Sequence, residues 1–422
     1  MTVLSVRQVR NRFLILSGLR WLATGLTAPM LILLMHQRGL SLPRIGLTIT
    51  AFGAAVLALE LPTGGLADAI GRKPVLTTAW TVNLASLGLL ALADTFELFL
   101  VAWALQGTFR ALDSGPLESW YVDATLAADP EAKYESGLGL AGMVIGVATG
   151  TGALLSGGLT ALGPIGGVSA LTMPILVAMA IQGLGLIALR ILLIEARPAR
   201  GAHPVRTSVA AAPRMVREAV GLLRRSRVLT ALVAVELFWG FGVLTFEGLL
   251  PIRFAEVMGD TDRAAALLGP ASSVAWLAAA AGAAATPLLL RWPGAAPGAG
   301  LLRILQCVTV LGMGLFAGPV GVLLSYVACY TVQGAAKPLH YGLLHRQVDG
   351  PYRTSVVSLN SVVSQPAASI GSVVLTSLAA ATSISTAMLV GGIVMALAAP
   401  LYLPAWSSDQ RKQPAEADMQ RD

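Results

Sequence analysis

Twelve apolar blocks, each about as long as a membrane-crossing helix, constrain the fold of this chain more than any other feature. A helix of about 20 residues crosses a hydrocarbon core of roughly 30 Å. Only 12% of the residues are charged, about half the fraction usual in soluble domains. The blocks are rich in small residues and show no strand-like alternation, which predicts an all-α integral membrane protein and not a β-barrel. The predicted spans are 13–35, 44–66, 74–93, 97–119, 136–159, 169–193, 228–250, 264–290, 300–318, 319–342, 354–380 and 384–404.

One long polar stretch divides these spans into six and six. It covers 194–227 and is rich in arginine, proline and alanine, with a short amphipathic run at 216–223. We therefore predict a six-helix bundle at 1–193, a cytoplasmic central loop at 194–227, a second bundle at 228–404 and a tail at 405–422. The first apolar run is too long for a signal-peptide core and no cleavage-like site closes it, so we expect an uncleaved first span.

The basic residues predict the orientation of the chain. With the N-terminus inside, twenty lysines and arginines fall in inner loops and tails, and four fall in outer loops. This bias places both termini in the cytoplasm and indicates a multi-pass protein of the plasma or inner membrane. The same bias accounts for the net charge of +7, because the excess basic residues lie in the inner loops. We therefore expect no nucleic-acid partner.

The sequence shows no sign of enzyme chemistry. It has no phosphate-binding loop, no HExxH motif and no recognisable catalytic spacing of Asp, His and Ser. Cys307 and Cys329 both lie inside apolar blocks, which favours buried free thiols over a disulfide or a metal site. We predict a protein that is not an enzyme and that needs no cofactor or metal.

The two halves resemble each other. Block ten matches block four without a gap at an offset of 227, and blocks one and seven each carry an ionisable residue followed by a glycine. The matched positions of blocks four and ten are Gln106-Gly107 with Gln333-Gly334, Arg110 with Lys337, Asp113 with His340, and Gly115 with Gly342. In blocks one and seven, Arg20 and Glu236 lie at similar depth, and they are followed by Gly25 and Gly240. Two six-helix repeats in one chain are typical of a transporter that rocks two bundles.

A motif at the inner end of block two carries the strongest signal. Gly64 and Gly65 permit close helix approach, Gly71 permits a tight turn, and Asp68 is placed to accept from Arg72 beside Lys73. We expect this conformational loop to hold one bundle against the other in one state, although an ordinary basic inner loop would also explain the two cations.

The pattern Gly64-x-Leu-Ala-Asp-x-x-Gly-Arg-Lys73 resembles the loop 2–3 signature of the major facilitator superfamily. Its place in the chain, the six-plus-six layout and the long central loop fit that family over nearly the whole length. Ala69 departs from the family pattern, which usually has a basic residue there. The segments Glu60-Leu-Pro-Thr-Gly64 and Arg353-Thr-Ser-Val-Val-Ser-Leu-Asn360 resemble a bacterial branch rich in drug-efflux-like members. The resemblance implies a monomer.

Four ionisable residues of the first half form a candidate proton-coupling or gating network: Arg20, Glu60, Arg110 and Asp113. Arg20, Glu60 and Asp113 lie roughly 9–11 Å inside the inner boundary at about 1.5 Å per residue. Intramembrane charges are costly and usually functional. The resemblance places Arg110 where the family has an arginine linked to proton coupling. An internal ion pair that only locks helices is the alternative.

In the second half we predict a substrate cavity lined by Glu236, Trp239, Lys337 and His340. Glu236 would bind a cationic substrate or a proton, and histidine titrates near neutrality. The alternatives are a hydrogen-bonded packing histidine and a packing tryptophan. Glu247, eleven residues beyond Glu236, is expected near the outer mouth in contact with water.

These patterns predict a secondary transporter that moves a small molecule together with protons by alternating access. The resemblance favours proton-coupled efflux of amphipathic, drug-like or metabolite compounds, as in an antiporter that confers drug resistance. Proton symport or facilitated uptake of a metabolite is the alternative within the class. A membrane receptor or enzyme on the same fold is the alternative outside it.

Overall fold

A computed structural model of the chain is all-helical. It describes residues 4–63, 66–195, 221, 223, 226–291, 294–347 and 353–408. Nine helices precede the central loop in the described part: α1 Val6–Thr27, α2 Leu31–Gln37, α3 Leu42–Thr63, α4 Leu66–Ile70, α5 Arg72–Leu92, α6 Phe96–Asp113, α7 Pro116–Ala128, α8 Glu135–Ala161 and α9 Met173–Leu192. The later ones are α10 Arg227–Gly242, α11 Leu250–Met258, α12 Thr261–Ala284, α13 Thr286–Arg291, α14 Ala295–Leu315, α15 Pro319–His345, α16 Arg353–Ala381 and α17 Ile384–Ala396.

The described residues contain eleven helices that are long and apolar enough to cross a membrane. The remaining membrane-spanning helix of the fold is α6, which is not among these eleven. Its eighteen positions include three ionisable residues, namely Glu97, Arg110 and Asp113. A span with three such residues is less hydrophobic than its neighbours, and it is also the span that carries half of the predicted network. The fold class predicted from the hydropathy pattern is confirmed.

Two compact units divide the chain. Described residues of Met1–Ala212 and Met258–Val274 belong to unit 1, and those of Pro213–Val257 and Ala275–Asp422 belong to unit 2. The predicted division into bundles at 1–193 and 228–404, with a central loop and a tail, stays a prediction. The amphipathic run at 216–223 and most of the tail lie outside the described residues.

Several spans that the sequence predicted as continuous helices are interrupted, and those in the fourth and seventh spans have a distinct local geometry. The fourth block, predicted at 97–119, breaks after Asp113 because Gly115 takes a left-handed conformation with φ of +99°. Pro116 then starts α7, a position where its missing N–H is not needed. In the seventh span a π-helical segment, Thr245–Leu249, separates α10 from α11. Hydropathy alone does not report either interruption.

Glycines at matched positions bring helices together in the same way in both units. A methyl group on Gly25 of α1 would collide with the Thr149 carbonyl of α8. One on Gly240 of α10 would collide with the Ser364 carbonyl of α16. Gly107 and Gly334 form a second pair of equivalent glycines. Gly107 lies against the Phe52 carbonyl of α3, and Gly334 lies against the Ala279 carbonyl of α12. Small residues permit such close backbone approach in membranes, so the internal repeat of the sequence corresponds to a repeat of helix crossings.

Candidate functional site

A buried ion pair joins the first and fourth spans in unit 1. Arg20 of α1 donates from Nε to Oδ2 of Asp113, the last residue of α6. Trp80 of α5 donates from its indole Nε1 to the other carboxylate oxygen, Oδ1, at 2.9 Å. Arg20 is 7% exposed and Asp113 is 9% exposed. Three helices therefore meet at one carboxylate that is shielded from bulk solvent.

Aromatic rings enclose the Arg20 guanidinium. Its Cζ lies 4.1 Å from the ring centroid of Trp21 and 5.2 Å from that of Phe109. A cation over an aromatic face is attracted to the ring, more strongly where water is excluded. The positive charge is thus held by one carboxylate and two rings.

A chain of amides continues from this pair through unit 1. Gln182 of α9 donates from Nε2 to the backbone carbonyl of Trp80 at 3.3 Å. Asn83 donates to the Gln182 side chain at 3.0 Å, and Gln106 of α6 donates to Asn83 at 3.1 Å. Gln182 and Asn83 are buried, whereas Gln106 is half-buried. The hydrogen bonds connect a more open position on α6 with the region of the ion pair.

The structure brings two of the four predicted network residues together and leaves two apart. Arg110 is exposed and Glu60 is half-buried, and neither pairs with Arg20 or Asp113 among the described residues. Arg110 precedes Asp113 by three positions, which rotates its side chain by about 60° around the helix. Glu118 of α7, which the sequence analysis did not select, lies within electrostatic range of Arg20, Arg110 and Asp113.

The loop motif contributes the N-terminus of α5. Gly71 has φ of +96°, a conformation that glycine adopts without strain. The backbone N–H groups of Arg72 and Lys73 then donate to the two carboxylate oxygens of Glu195, at 2.8 and 2.9 Å. An acid at this position satisfies free amides and complements the positive end of the helix. Gly64 and the Asp68 side chain, on which the predicted contact with Arg72 depends, lie outside the described residues.

The side chains of the motif reach two further elements of unit 1. The Arg72 guanidinium lies 2.6 Å from the Asp123 carboxylate on α7. Lys73 donates from Nζ to the Arg190 carbonyl on α9 at 2.7 Å. Neither Asp123 nor Glu195 was among the residues predicted from the sequence. The available signal was charge complementarity, because both acids lie on segments predicted at the same face of the membrane as the basic loop.

A second buried pair lies in unit 2. The Nε2 atom of His340 on α15 lies 3.3 Å from the Glu236 carboxylate on α10. Its Nδ1 atom lies 2.9 Å from the Tyr402 hydroxyl. His340 is 1% exposed and Glu236 is 7% exposed. One imidazole nitrogen therefore faces a carboxylate and the other a hydroxyl, in a group that is shielded from bulk water.

Other charged and polar groups surround this second pair. Arg303 of α14 is 4% exposed, donates to Gln306 at 2.9 Å, and interacts electrostatically with Glu236. Asn360 of α16 is buried and lies close to both members of the pair, and Lys337 lies within electrostatic range of Glu236. Glu236 is therefore the acidic partner of two cations in the described part of unit 2.

The two pairs join corresponding spans of the two units. Asp113 and His340 are matched by the sequence repeat on the fourth span, and Arg20 and Glu236 lie at similar depth on the first span. The basic and acidic members are exchanged between the units. Each unit thus contains a buried pair between its first and fourth spans.

The predicted cavity residues differ in their exposure. Glu236 and His340 are buried against each other, Trp239 is half-buried, and Lys337 is exposed. Glu247, expected at the outer mouth, is exposed within the π-helical segment and lies within electrostatic range of Lys337 and Tyr330. The described residues contain no cluster of potential metal ligands. Cys307 and Cys329 are buried and form no disulfide.

Solved structures of transporters share this fold. The nucleoside transporter NupG superposes with a TM-score of 0.75 at 13% identity, over 94% of this chain and 98% of that one. A bacterial homologue of the human lysosomal transporter Spinster gives 0.73 at 15% identity, over 94% and 96%. A bacterial homologue of the human peptide transporters PepT1 and PepT2 gives 0.70 at 12% identity, over 97% and 100%.

No curated protein sequence is significantly similar to the chain. Residues 13–345 match the Major Facilitator Superfamily. This range includes all four members of the two buried pairs, whereas Tyr402 lies beyond it. The match covers more than half of the 422 residues. The chain is a multi-pass membrane protein and a secondary transporter of small molecules that belongs to the Major Facilitator Superfamily.

Proposed function

We propose that this transporter exports small amphipathic compounds in exchange for protons, by alternating access. The observation that carries the proposal is the pair of matched, buried contacts, Arg20 with Asp113 and Glu236 with His340. Buried charges in a membrane protein are costly to maintain and are usually retained for ion coupling or substrate transport. Both pairs contain a carboxyl group, and one contains an imidazole.

Proton binding at Asp113 would change the balance of charge in unit 1. A protonated Asp113 no longer neutralises Arg20, and the guanidinium itself does not give up its proton in proteins. An unpaired buried cation is strongly unfavourable, so Arg20 would have to find water or another acid. Glu118 lies within electrostatic range of Arg20 and is exposed. We infer that proton binding at Asp113 favours a conformation in which Arg20 turns toward Glu118.

The loop contacts supply the conformational element of the proposal. Glu195, Asp123 and the start of α5 hold one end of unit 1 together through Arg72 and Lys73. In the alternating-access scheme of this family, two bundles rock about a substrate held near the middle of the membrane. We propose that these contacts stabilise one of the two states and that the protein works as a monomer in the plasma or inner membrane.

Direction is tested by transport in cells. The chain is expressed in a bacterial strain that lacks its own efflux pumps, and a panel of amphipathic cations, nucleosides and short peptides is screened for resistance and for extrusion. Extrusion that a protonophore abolishes is the expected result. Accumulation of any solute without extrusion would replace export by uptake, which is the second candidate. Absence of transport for the whole panel, with a ligand-dependent signal in its place, would favour a receptor.

A further inference from the structure

Glu247 has no assigned role in the proton-coupling pairs, yet it is an exposed carboxylate inside a membrane-spanning segment. It lies at the centre of the π-helical segment Thr245–Leu249, whose other four residues are all buried. Short π-helical segments inside α-helices occur frequently at functional sites. Glu247 is thus the exposed residue of a segment whose other members are buried.

The electrostatic neighbours of Glu247 show which face of unit 2 it occupies. They are Lys337, Tyr330 and Cys329, all on α15. Lys337 is exposed as well and lies within the same span as Tyr330. Charged side chains at this depth face protein or water rather than lipid. Glu247 and Lys337 therefore mark a polar face of unit 2, and no ion pair forms between them in the described residues.

An aromatic cluster lies beside the carboxylate. Tyr330 is its centre, with ring centroids 5.9 Å from Phe246, 5.7 Å from Trp276 and 4.9 Å from Tyr326, all in edge-to-face arrangements. Trp276 is 43% exposed, so part of the cluster is open. Aromatic faces attract cations, and an adjacent carboxylate adds a full opposite charge. This combination recognises a cation that also carries apolar groups.

Lys337 sets the limit of this site on α15. It follows Tyr330 by seven residues, or two helical turns, which is about 10 Å along the helix axis. The Lys337 ammonium group also interacts electrostatically with Glu236, the buried acid that contacts His340. Lys337 would repel a cation that moves from the aromatic cluster toward that pair. Its removal is expected to strengthen cation binding.

We propose that Glu247, together with the aromatic cluster of Phe246, Trp276, Tyr326 and Tyr330, binds the positively charged group of an amphipathic organic cation. The proposal rests on the proposed transport function and narrows its substrate class. Neutral compounds of the same shape would contact the rings but gain nothing from the carboxylate. The site is separate from the two buried pairs, since Glu247 contacts neither.

Equilibrium binding tests the proposal without any proton gradient. The full chain in lipid nanodiscs is titrated with tetraphenylphosphonium, a permanent cation, and with triphenylphosphine oxide, a neutral relative. Glu247→Gln is expected to weaken tetraphenylphosphonium binding at least tenfold and to leave the neutral compound within twofold. Lys337→Met is expected to strengthen cation binding about threefold. Glu131→Gln, which changes an exposed acid of unit 1, is the matched control and is expected to change neither.

Each outcome decides the proposal. Unchanged cation binding by Glu247→Gln would overturn it, as would absence of cation binding by the wild-type protein or equal loss of both compounds. Size-exclusion profiles of the variants separate loss of binding from loss of folding, and Lys337→Met tests the same charge pattern in the opposite direction. If the cation binds through Glu247 but no compound is moved by a pH gradient, the site stands and the proposed antiport fails.

Discussion

His340 lies with its Nε2 atom 3.3 Å from the Glu236 carboxylate, on the two spans of unit 2 that correspond to the spans of Asp113 and Arg20 in unit 1. Each unit thus buries one pair between its first and fourth spans. The internal repeat preserves the location of the pair but exchanges the acid and the base. This relationship allows each half of the transporter to be tested by equivalent substitutions.

Glu236→Gln is expected to destabilise the protein because it removes the acidic partner of Arg303 and His340 in the described part of unit 2. Loss of one member of a buried pair costs about 3–5 kcal/mol. Apparent melting in detergent, followed by tryptophan fluorescence, should show a clear decrease. Adding Arg303→Gln to the same variant is expected to restore part of the loss, because it removes the buried cation that Glu236 neutralises. Strict additivity of the two changes would argue against the pairing.

Glu195→Ala is expected to reduce stability more than Asp123→Ala. Glu195 accepts from two backbone amides at the start of α5, and loss of a helix N-cap costs about 0.5–2 kcal/mol. The Asp123 side chain is 59% exposed in its contact with Arg72, and exposed ion pairs contribute about 0–1 kcal/mol. The same melting assay compares the two. A larger effect of Asp123→Ala would mean that the ion pair, and not the helix cap, holds this end of unit 1.

Gly107→Ala and Gly334→Ala are each expected to lower the yield of folded protein. In both cases the added methyl group would meet a backbone carbonyl of the adjacent helix, which has no flexible end to move aside. Gly142→Ala on α8 is the matched control, because nothing lies within 4 Å of its added methyl. Fluorescence-detected size exclusion of tagged protein measures the folded fraction. Equal yields for all three would contradict the close crossings.

Glu60→Gln distinguishes the predicted four-residue network from the observed two-residue pair. A network that includes Glu60 would lose proton coupling when its carboxylate is removed. The structure joins Arg20 with Asp113 and leaves Glu60 without an ion pair in the described residues. Transport driven by a pH gradient is therefore expected to survive Glu60→Gln. Loss of coupling in folded Glu60→Gln protein would restore the larger network.

Hydropathy and charge bias predicted the helical membrane fold, because the bilayer requires long apolar helices whatever their packing. The matched glycines were also visible, since close crossings require small residues. The direction in which each side chain points around its helix could not be predicted from the sequence. Arg110 and Asp113 are three residues apart on one helix, yet one is exposed and the other buried.

Two local interruptions explain most of what the sequence did not reveal about the site. The left-handed Gly115 precedes α7, which carries Glu118 within electrostatic range of Arg20. The π-helical segment contains the exposed Glu247. The Gly115-Pro116 dipeptide is a turn signal that an apolar block hides, whereas the π-helical segment has no distinctive sequence signature. Glu195 was missed for another reason, since its partners are backbone amides and not side chains.

The most direct test of proton coupling is transport by purified protein in liposomes, with a compound from the cellular screen and an imposed pH gradient. Wild-type protein is expected to accumulate the compound against its gradient. Asp113→Asn is expected to lose this accumulation but still to exchange labelled for unlabelled compound, and Glu131→Gln is expected to behave as wild type. Full gradient-driven accumulation by Asp113→Asn would contradict the account, because the carboxylate paired with Arg20 would then not be needed for coupling.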